Sequence, residues 1–212
     1  KKICDVDISS FNSEEARYTT LKRSTLINFL LKKIPNKKII MNIQPHSIEQ
    51  LEKIKIYHSN NLTEYFDYLV ISDGIFSKTK TIITKNYNKP VFYNSVAIRG
   101  IIKNFKQDDI SIYLGSNFHF VIYPISRQKE FNFVSIIRKK IKKNELLKEK
   151  YFHNGDFLNS LFNKIFKKNN LDIKNKIKNV KLFPVYVSKK IERCNKKNIY
   201  FTGDALFAFP PS

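Results

Sequence analysis

Two short acidic stretches, each directly after an apolar run, hold the residues of this chain whose types and spacing best suit ligand binding. They are "YLVISDG" at positions 68–74 and "IYFTGDA" at positions 199–205. A continuous apolar run is typical of a strand buried on both faces in a parallel sheet. Ligands of open α/β sheets bind beyond the carboxyl ends of the strands, where a carboxylate can accept hydrogen bonds from hydroxyl groups. The candidate binding residues are Asp73, Gly74, Gly203, Asp204 and Ala205.

Each stretch also has a simpler interpretation, because Asp-Gly is a common signal for an ordinary turn after a strand. The two stretches together favour a shared site more than either does alone. Pro210 and Pro211 follow the second stretch and restrict the loop geometry there, which adds Pro211 to the candidates.

Arg23 is a further candidate because it stands directly before an apolar pattern of helical period. The pattern predicts a helix over residues 23–34, with Ser24 as the N-cap and Pro35 as the stop. An arginine at a helix N-terminus can bind a phosphate through two hydrogen bonds, beside the positive end of the helix dipole. A surface arginine without a ligand is the simpler interpretation of this residue taken alone.

The remaining pattern predicts an α/β (α+β) chain in which an antiparallel β-sheet interrupts a strand layer. Four consecutive strand-like segments with short connections are typical of an antiparallel meander. We expect helices at 156–168 and, more weakly patterned, at 171–180. The predicted strands lie at 37–43, 52–59, 68–71, 89–102, 109–115, 118–125, 130–139, 181–187 and 199–201.

These motifs, in this order, resemble those of the flavoprotein aromatic hydroxylases of the para-hydroxybenzoate, salicylate and ubiquinone-pathway group. "YLVISDGIFSK" is similar to the family's Asp-Gly motif, and "IYFTGDALFAFPPS" is similar to its Gly-Asp motif. Arg23, Leu26 and Leu30 match its Arg-x-x-Leu-x-x-x-Leu helix. "FHFVIYPI" and "FNFVSIIR" are similar to its Tyr-Pro and Asn-Phe-Val strands, so the resemblance covers most of the chain.

The resemblance implies an incomplete three-layer FAD-binding domain, formed by residues 1–88 and 181–212, with an inserted antiparallel β-sheet substrate domain at 89–180. Arg23 would then contact the FAD phosphates, and Asp204 would accept hydrogen bonds from the ribityl chain. Asp73 and Gly74 would line the groove shared by the FAD pyrophosphate and NAD(P)H. The implied activity is hydroxylation of an aromatic or related electron-rich small molecule with NAD(P)H and O2, through a flavin hydroperoxide, without a catalytic side chain.

The chain departs from the family pattern at three places. Ser72 replaces the usual Ala, Phe207 stands where the family commonly has His, and no GxGxxG sequence occurs. We expect that glycine-rich element to lie before residue 1, and we expect the 212-residue chain alone to bind FAD poorly or not at all.

The meander is expected to bind the substrate. Alternation along "VFYNSVAIRG" places Val91, Tyr93, Ser95, Ala97 and Arg99 on one face. Arg99 is therefore a candidate partner of a substrate carboxylate, although an arginine on a solvent-exposed sheet face is the simpler interpretation. Tyr123, on a nearby strand, is the second candidate, with a packing role as its alternative.

The formal net charge of +21 raises the alternative of a basic nucleic-acid-binding module. The basic residues are scattered along the chain, a pattern that codon composition explains better, so we expect no specific nucleic acid partner. A flavin reductase is a second alternative, whereas a halogenase is disfavoured because the chain has no Trp.

Two distant cysteines favour a reducing compartment such as the cytoplasm, and the four histidines lack metal-ligand spacing. No apolar stretch reaches the roughly 18 residues of a transmembrane helix.

Overall fold

A computed structural model describes residues 2–7, 9, 12–15, 18–35, 38–84, 89–105, 109–126, 130–166, 173–191 and 194–211. Its strands form a five-stranded sheet, a three-stranded sheet and a two-stranded parallel pair. This mixture of parallel and antiparallel strands with helices confirms the predicted α/β (α+β) class.

The five-stranded sheet is antiparallel and consists of β5 (Val91–Lys103), β6 (Ser111–Leu114), β7 (Phe118–Ser126), β8 (Glu130–Arg138) and β9 (Ile177–Val187). The strand order is β6-β7-β8-β5-β9. It confirms the four predicted consecutive antiparallel strands and adds β9. The predicted domain boundary between residues 180 and 181 falls inside β9.

One face of this sheet is covered by a helix, α5 (Gly155–Phe166), which lies close to its predicted position. The helix buries Leu161, Phe162, Ile165 and Phe166 at the spacing of a single helix face. The Phe166 ring packs against the rings of Phe120 and Phe133, with centroid separations of 5.7 and 6.1 Å. Two four-residue helices, α3 (Lys143–Leu146) and α4 (Glu149–Phe152), connect β8 to α5.

The parallel pair consists of β4 (Leu69–Ile71) and β10 (Ile199–Phe201). Beside it lies a small antiparallel sheet of β1 (Pro45–Gln50), β2 (Ile54–His58) and β3 (Thr63–Phe66). The helix α2 (Lys78–Thr84) follows β4. Together these elements enclose a second apolar cluster, whose buried members are Ile48, Ile54, Ile56, Ile71, Ile83, Ile199, Phe201 and Ala205.

The structure corrects three predictions near the N-terminus. Residues 38–43 form no strand, and the strand that pairs with β2 begins later, at Pro45. The helix α1 spans Arg23–Leu31, so it ends before Ile34, and its N-cap is Lys22 rather than Ser24. Val70 is 60% exposed, so β4 is buried on one face only and not on both.

Two further predictions fail around β5 and β9. Residues 174–176 form a 3₁₀ turn and β9 begins at Ile177, so the helix expected at 171–180 is absent from its described part; residues 171 and 172 lie outside the described residues. On β5, alternation breaks where the register with β9 shifts between Phe92 and Val96. Asn94 has a φ of 52° there, and Val91 and Tyr93 precede this residue. Ser95, Ala97 and Arg99 keep alternate positions in the regular pairing with β8, and of these three only Arg99 is exposed.

Candidate functional site

The parallel pairing of β4 with β10 brings the two acidic loops to one edge. Ile71 is the register partner of Phe201, and the Thr202 N–H donates to the Ile71 carbonyl at 3.0 Å. The ends of the two strands are therefore aligned, and Asp73 and Gly203 each lie two residues beyond the end of their own strand. The structure thus unites the two loops that the sequence placed 130 positions apart, 73 against 203.

The loop after β4 is fixed against the first turn of α2. The Asp73 Oδ2 accepts the Thr79 N–H at 3.2 Å, and the Gly74 carbonyl accepts the Ser77 N–H at 3.1 Å. Ser77 is 1% exposed, and its Oγ accepts the Lys80 N–H at 2.8 Å, as a helix-capping serine does. Asp73 itself remains exposed, so its carboxylate is held in place while facing solvent.

The loop after β10 turns at Gly203 into a four-residue helix, α6 (Gly203–Leu206). Ala205 is 1% exposed within the second apolar cluster, whereas Asp204 is exposed. Gly74 and Gly203 have φ angles of 86° and 56°, and a Cβ built on either would meet no atom within 4 Å. Both turns consequently border open space in which a ligand can approach the backbone.

Both loops also contact the end of β9. The Phe76 ring contacts the Tyr186 ring edge-on, with centroids 5.1 Å apart. The Ser188 N–H donates to the Ala208 carbonyl, and the Ala208 N–H donates to the Ser188 Oγ, each at 3.0 Å. The candidate site therefore lies where the parallel pair meets the five-stranded sheet, and the exposed Pro211 follows shortly after.

Arg23 lies at the start of α1 with an exposed side chain. The neighbouring polar contacts connect this end of α1 to the five-stranded sheet: Lys22 pairs with Glu130, and the Thr20 hydroxyl donates to the Pro124 carbonyl. The Lys22 hydrogen bond holds the pKa of Glu130 below its ordinary value. No described hydrogen bond or ion pair joins Arg23 to either acidic loop.

The core residues that pack with α5, such as Ile98 and Phe133, lie on one face of the five-stranded sheet. Arg99 and Tyr123 lie on the opposite face with their neighbours Val134 and Asn132, and we name this the open face. Arg99 is exposed, and its guanidinium lies 5.8 Å from the centre of the Phe183 ring. The Asn132 side-chain amide donates to the Tyr123 hydroxyl at 2.6 Å. Sequence reasoning missed Lys181, the register partner of Arg99, although alternation along β9 offered a signal for it.

Within the described part of the chain, no group of three or more His, Cys, Asp or Glu side chains could hold a metal ion. None of the helices found there has the length and apolar character needed to cross a membrane.

No protein-family model matches this sequence, and no curated protein does either. Solved structures do match. Klebsiella pneumoniae HpxO, complexed with FAD and uric acid, is similar over 88% of this chain and 48% of its own, with a TM-score of 0.73 and 13% identity. The 2,6-dihydroxypyridine-3-hydroxylase of Arthrobacter nicotinovorans is similar over 87% of this chain and 54% of its own, with a TM-score of 0.71 and 15% identity.

A salicylate hydroxylase in complex with substrate is also similar, over 88% of this chain and 51% of its own, with a TM-score of 0.68 and 15% identity. The chain thus spans about half the length of the solved proteins it matches. At these identities the likeness concerns the fold. These 212 residues have the fold of a part of the FAD-dependent hydroxylases and monooxygenases.

Proposed function

We propose that this chain forms part of an FAD-dependent monooxygenase that uses NAD(P)H and O2 to hydroxylate an aromatic or related electron-rich small molecule. The observation that carries the proposal is the meeting of the Asp73 and Asp204 loops at one edge of the parallel pair, with both loops fastened to the five-stranded sheet. The similar solved proteins, HpxO with FAD and uric acid among them, supply the functional class.

The residues at this edge fit a flavin dinucleotide. Asp204 offers an exposed carboxylate that can accept hydrogen bonds from ribityl hydroxyls, and Gly203 leaves its surroundings open. Asp73 and Gly74 would line the groove shared by the pyrophosphate and NAD(P)H, while Ala205 and Pro211 shape the second loop. Arg23 would bind phosphate. FAD, when bound, would supply the redox chemistry with NAD(P)H and O2.

The chain's own side chains would position the reactants and exclude water. Phe76 and Tyr186 form an aromatic contact at the junction of the two sheets, and Phe207 packs edge-on against Phe209 after the Gly-Asp loop. Phe76 and Phe209 are exposed, so they would exclude water from the reacting atoms only when cofactor and substrate cover them. On the open face, Arg99 and Tyr123 would orient the substrate.

A binding comparison tests the assignment of Asp204. Riboflavin, ADP and FAD are titrated into the 212-residue chain, into Asp204→Ala and into Asp156→Ala, which removes an exposed aspartate from α5 instead. A hydrogen bond to a charged group contributes about 1.5–3 kcal/mol, so we expect riboflavin and FAD affinity to fall roughly tenfold or more in Asp204→Ala.

ADP affinity should stay unchanged in Asp204→Ala, and Asp156→Ala should behave as the unaltered chain does. Equal loss of ADP and riboflavin, or equal loss in both variants, would contradict the ribityl role. Saturable FAD binding by the unaltered chain that Asp204→Ala leaves unchanged would contradict the flavin site.

A further inference from the structure

The open face of the five-stranded sheet carries a row of cationic side chains. Arg99 on β5 lies directly opposite Lys181 on β9, and the next residue of β5 on this face, Ile101, lies opposite Lys178. Arg99, Lys178 and Lys181 are all exposed. The register between β5 and β9 shifts between Arg99 and Ile101. Regular pairing would place Lys178 opposite the residue after Ile101, so the shift brings Lys178 one position closer to Arg99 and Lys181.

Like charges directly opposite each other destabilise a pair of strands. Among the described residues, none of the three cations forms an ion pair. Glu130, an acidic residue of this face, lies at its far end opposite Lys103 and is already paired with Lys22. The centre of the open face therefore has an excess of positive charge that an anion would relieve.

The surroundings of the cations suit a planar ring. Phe183 lies beside the Arg99 guanidinium, and Val134 is the β8 partner of Arg99. The hydrogen-bonded Tyr123 and Asn132 lie one row further along and offer polar groups. An aromatic ring packed against Phe183 and Val134 would place its substituents within reach of the cations.

We infer that the aromatic ligand of the open face carries at least two negative charges, as a dicarboxylate or a phosphomonoester does, and that Lys181 and Arg99 bind them together. The inference rests on the proposed function, in which this face holds the substrate. A single carboxylate carries one negative charge, so one positive charge of the Arg99–Lys181 pair would remain without a counter-charge. A dianion, with acceptors for the planar guanidinium and for an ammonium, neutralises both.

The inference is tested by NMR titration of the chain at pH 8 and constant ionic strength with three probes: benzoate, phthalate and phenyl phosphate. The expected result is about tenfold tighter binding of phthalate or phenyl phosphate than of benzoate, with shifts on β5 and β9. Phthalate in preference to phenyl phosphate would indicate a dicarboxylate, and the reverse a phosphomonoester. Equal binding of benzoate and both dianions would overturn the inference.

Substitutions of single cations test which side chains bind the dianion. Arg99→Gln and Lys181→Gln should each reduce dianion affinity to the level of benzoate, while Lys181→Arg should retain it. Lys140→Gln removes an exposed cation that follows β8 and should change nothing. An equal loss in Lys140→Gln would show diffuse charge and would also overturn the inference. Thermal unfolding of each variant verifies that it is folded.

The same samples are titrated with FAD, so that the two proposals fail separately. FAD-induced shifts that fall outside residues 72–79 and 202–207, with intact dianion preference, would contradict the flavin site alone. Intact FAD shifts with no dianion preference would contradict this inference alone.

Discussion

Gly203 determines how the chain turns from β10 into the Asp204 loop. Its φ of 56° lies in the left-handed region, where residues with a Cβ are strained. Because a Cβ at this position would meet nothing within 4 Å, the cost of a side chain is conformational rather than steric. Asp204 and Ala205 therefore owe their placement to a backbone conformation that glycine permits.

We expect Gly203→Ala to lower the free energy of unfolding by about 1 kcal/mol, as the left-handed conformation costs for other residues. Gly155→Ala is the matched control, since a Cβ there also meets nothing within 4 Å but the φ is not positive. Denaturant unfolding measures both. A loss in Gly155→Ala equal to that in Gly203→Ala would show that backbone conformation is not the cause.

Among the secondary-structure elements, α2 is the one that holds the Asp73 loop. The buried Ser77 Oγ accepts a hydrogen bond from the N–H of Lys80, and the Thr79 N–H reaches Asp73. We predict that Ser77→Ala lowers the free energy of unfolding by about 1 kcal/mol, the usual cost of losing a helix cap.

Ser116→Ala, in the exposed turn between β6 and β7, serves as the control and should leave stability unchanged within about 0.5 kcal/mol, as surface substitutions do. Hydrogen exchange should further show faster exchange of the Thr79 and Lys80 amides in Ser77→Ala. Unchanged exchange at both amides would contradict the role of Ser77 in fixing the loop.

The elements that the sequence predicted correctly have a local signal. The apolar stripe of α5 has helical spacing, β4 and β10 are short apolar runs that end at turn residues, and β2 lies in an alternating sequence. The sequence "KKIIMNI" has a better strand pattern than "PHSIEQ", and we therefore expected a strand at 37–43. The partner of β2 is nevertheless "PHSIEQ", in which only Ile48 is buried. Strand formation depends on the neighbouring strand more than on propensity.

The expected helix at 171–180 failed for a similar reason. Ile173 and Ile177 are four positions apart and both buried, which imitates a helix face, but Ile177 pairs with Ile102 on β5. At the site, the two acidic loops were predictable because each follows an apolar run. Their attachment to Tyr186 and Ser188 was not, since these contacts join distant parts of the chain.

The whole molecule carries a formal charge of +21, and this charge has consequences separate from the site. We expect DNA to bind through diffuse phosphate contacts, with equal affinity for two unrelated sequences. Six to ten such contacts would lose about 10³–10⁵ in affinity between 50 and 200 mM salt. Fluorescence anisotropy with two labelled duplexes measures this. A sequence preference that persists at high salt would support the nucleic-acid-binding alternative instead.

The central claim is that the Asp73 and Asp204 loops form one flavin-binding edge, and NMR mapping of an FAD titration tests it most directly. The account predicts that FAD shifts the amides of residues 72–79 and 202–207 together, with one common dissociation constant, and that inorganic pyrophosphate does not reproduce the shifts at 202–207. Shifts confined to the lysine-rich residues 138–143 and 173–181, and reproduced by pyrophosphate, would contradict it.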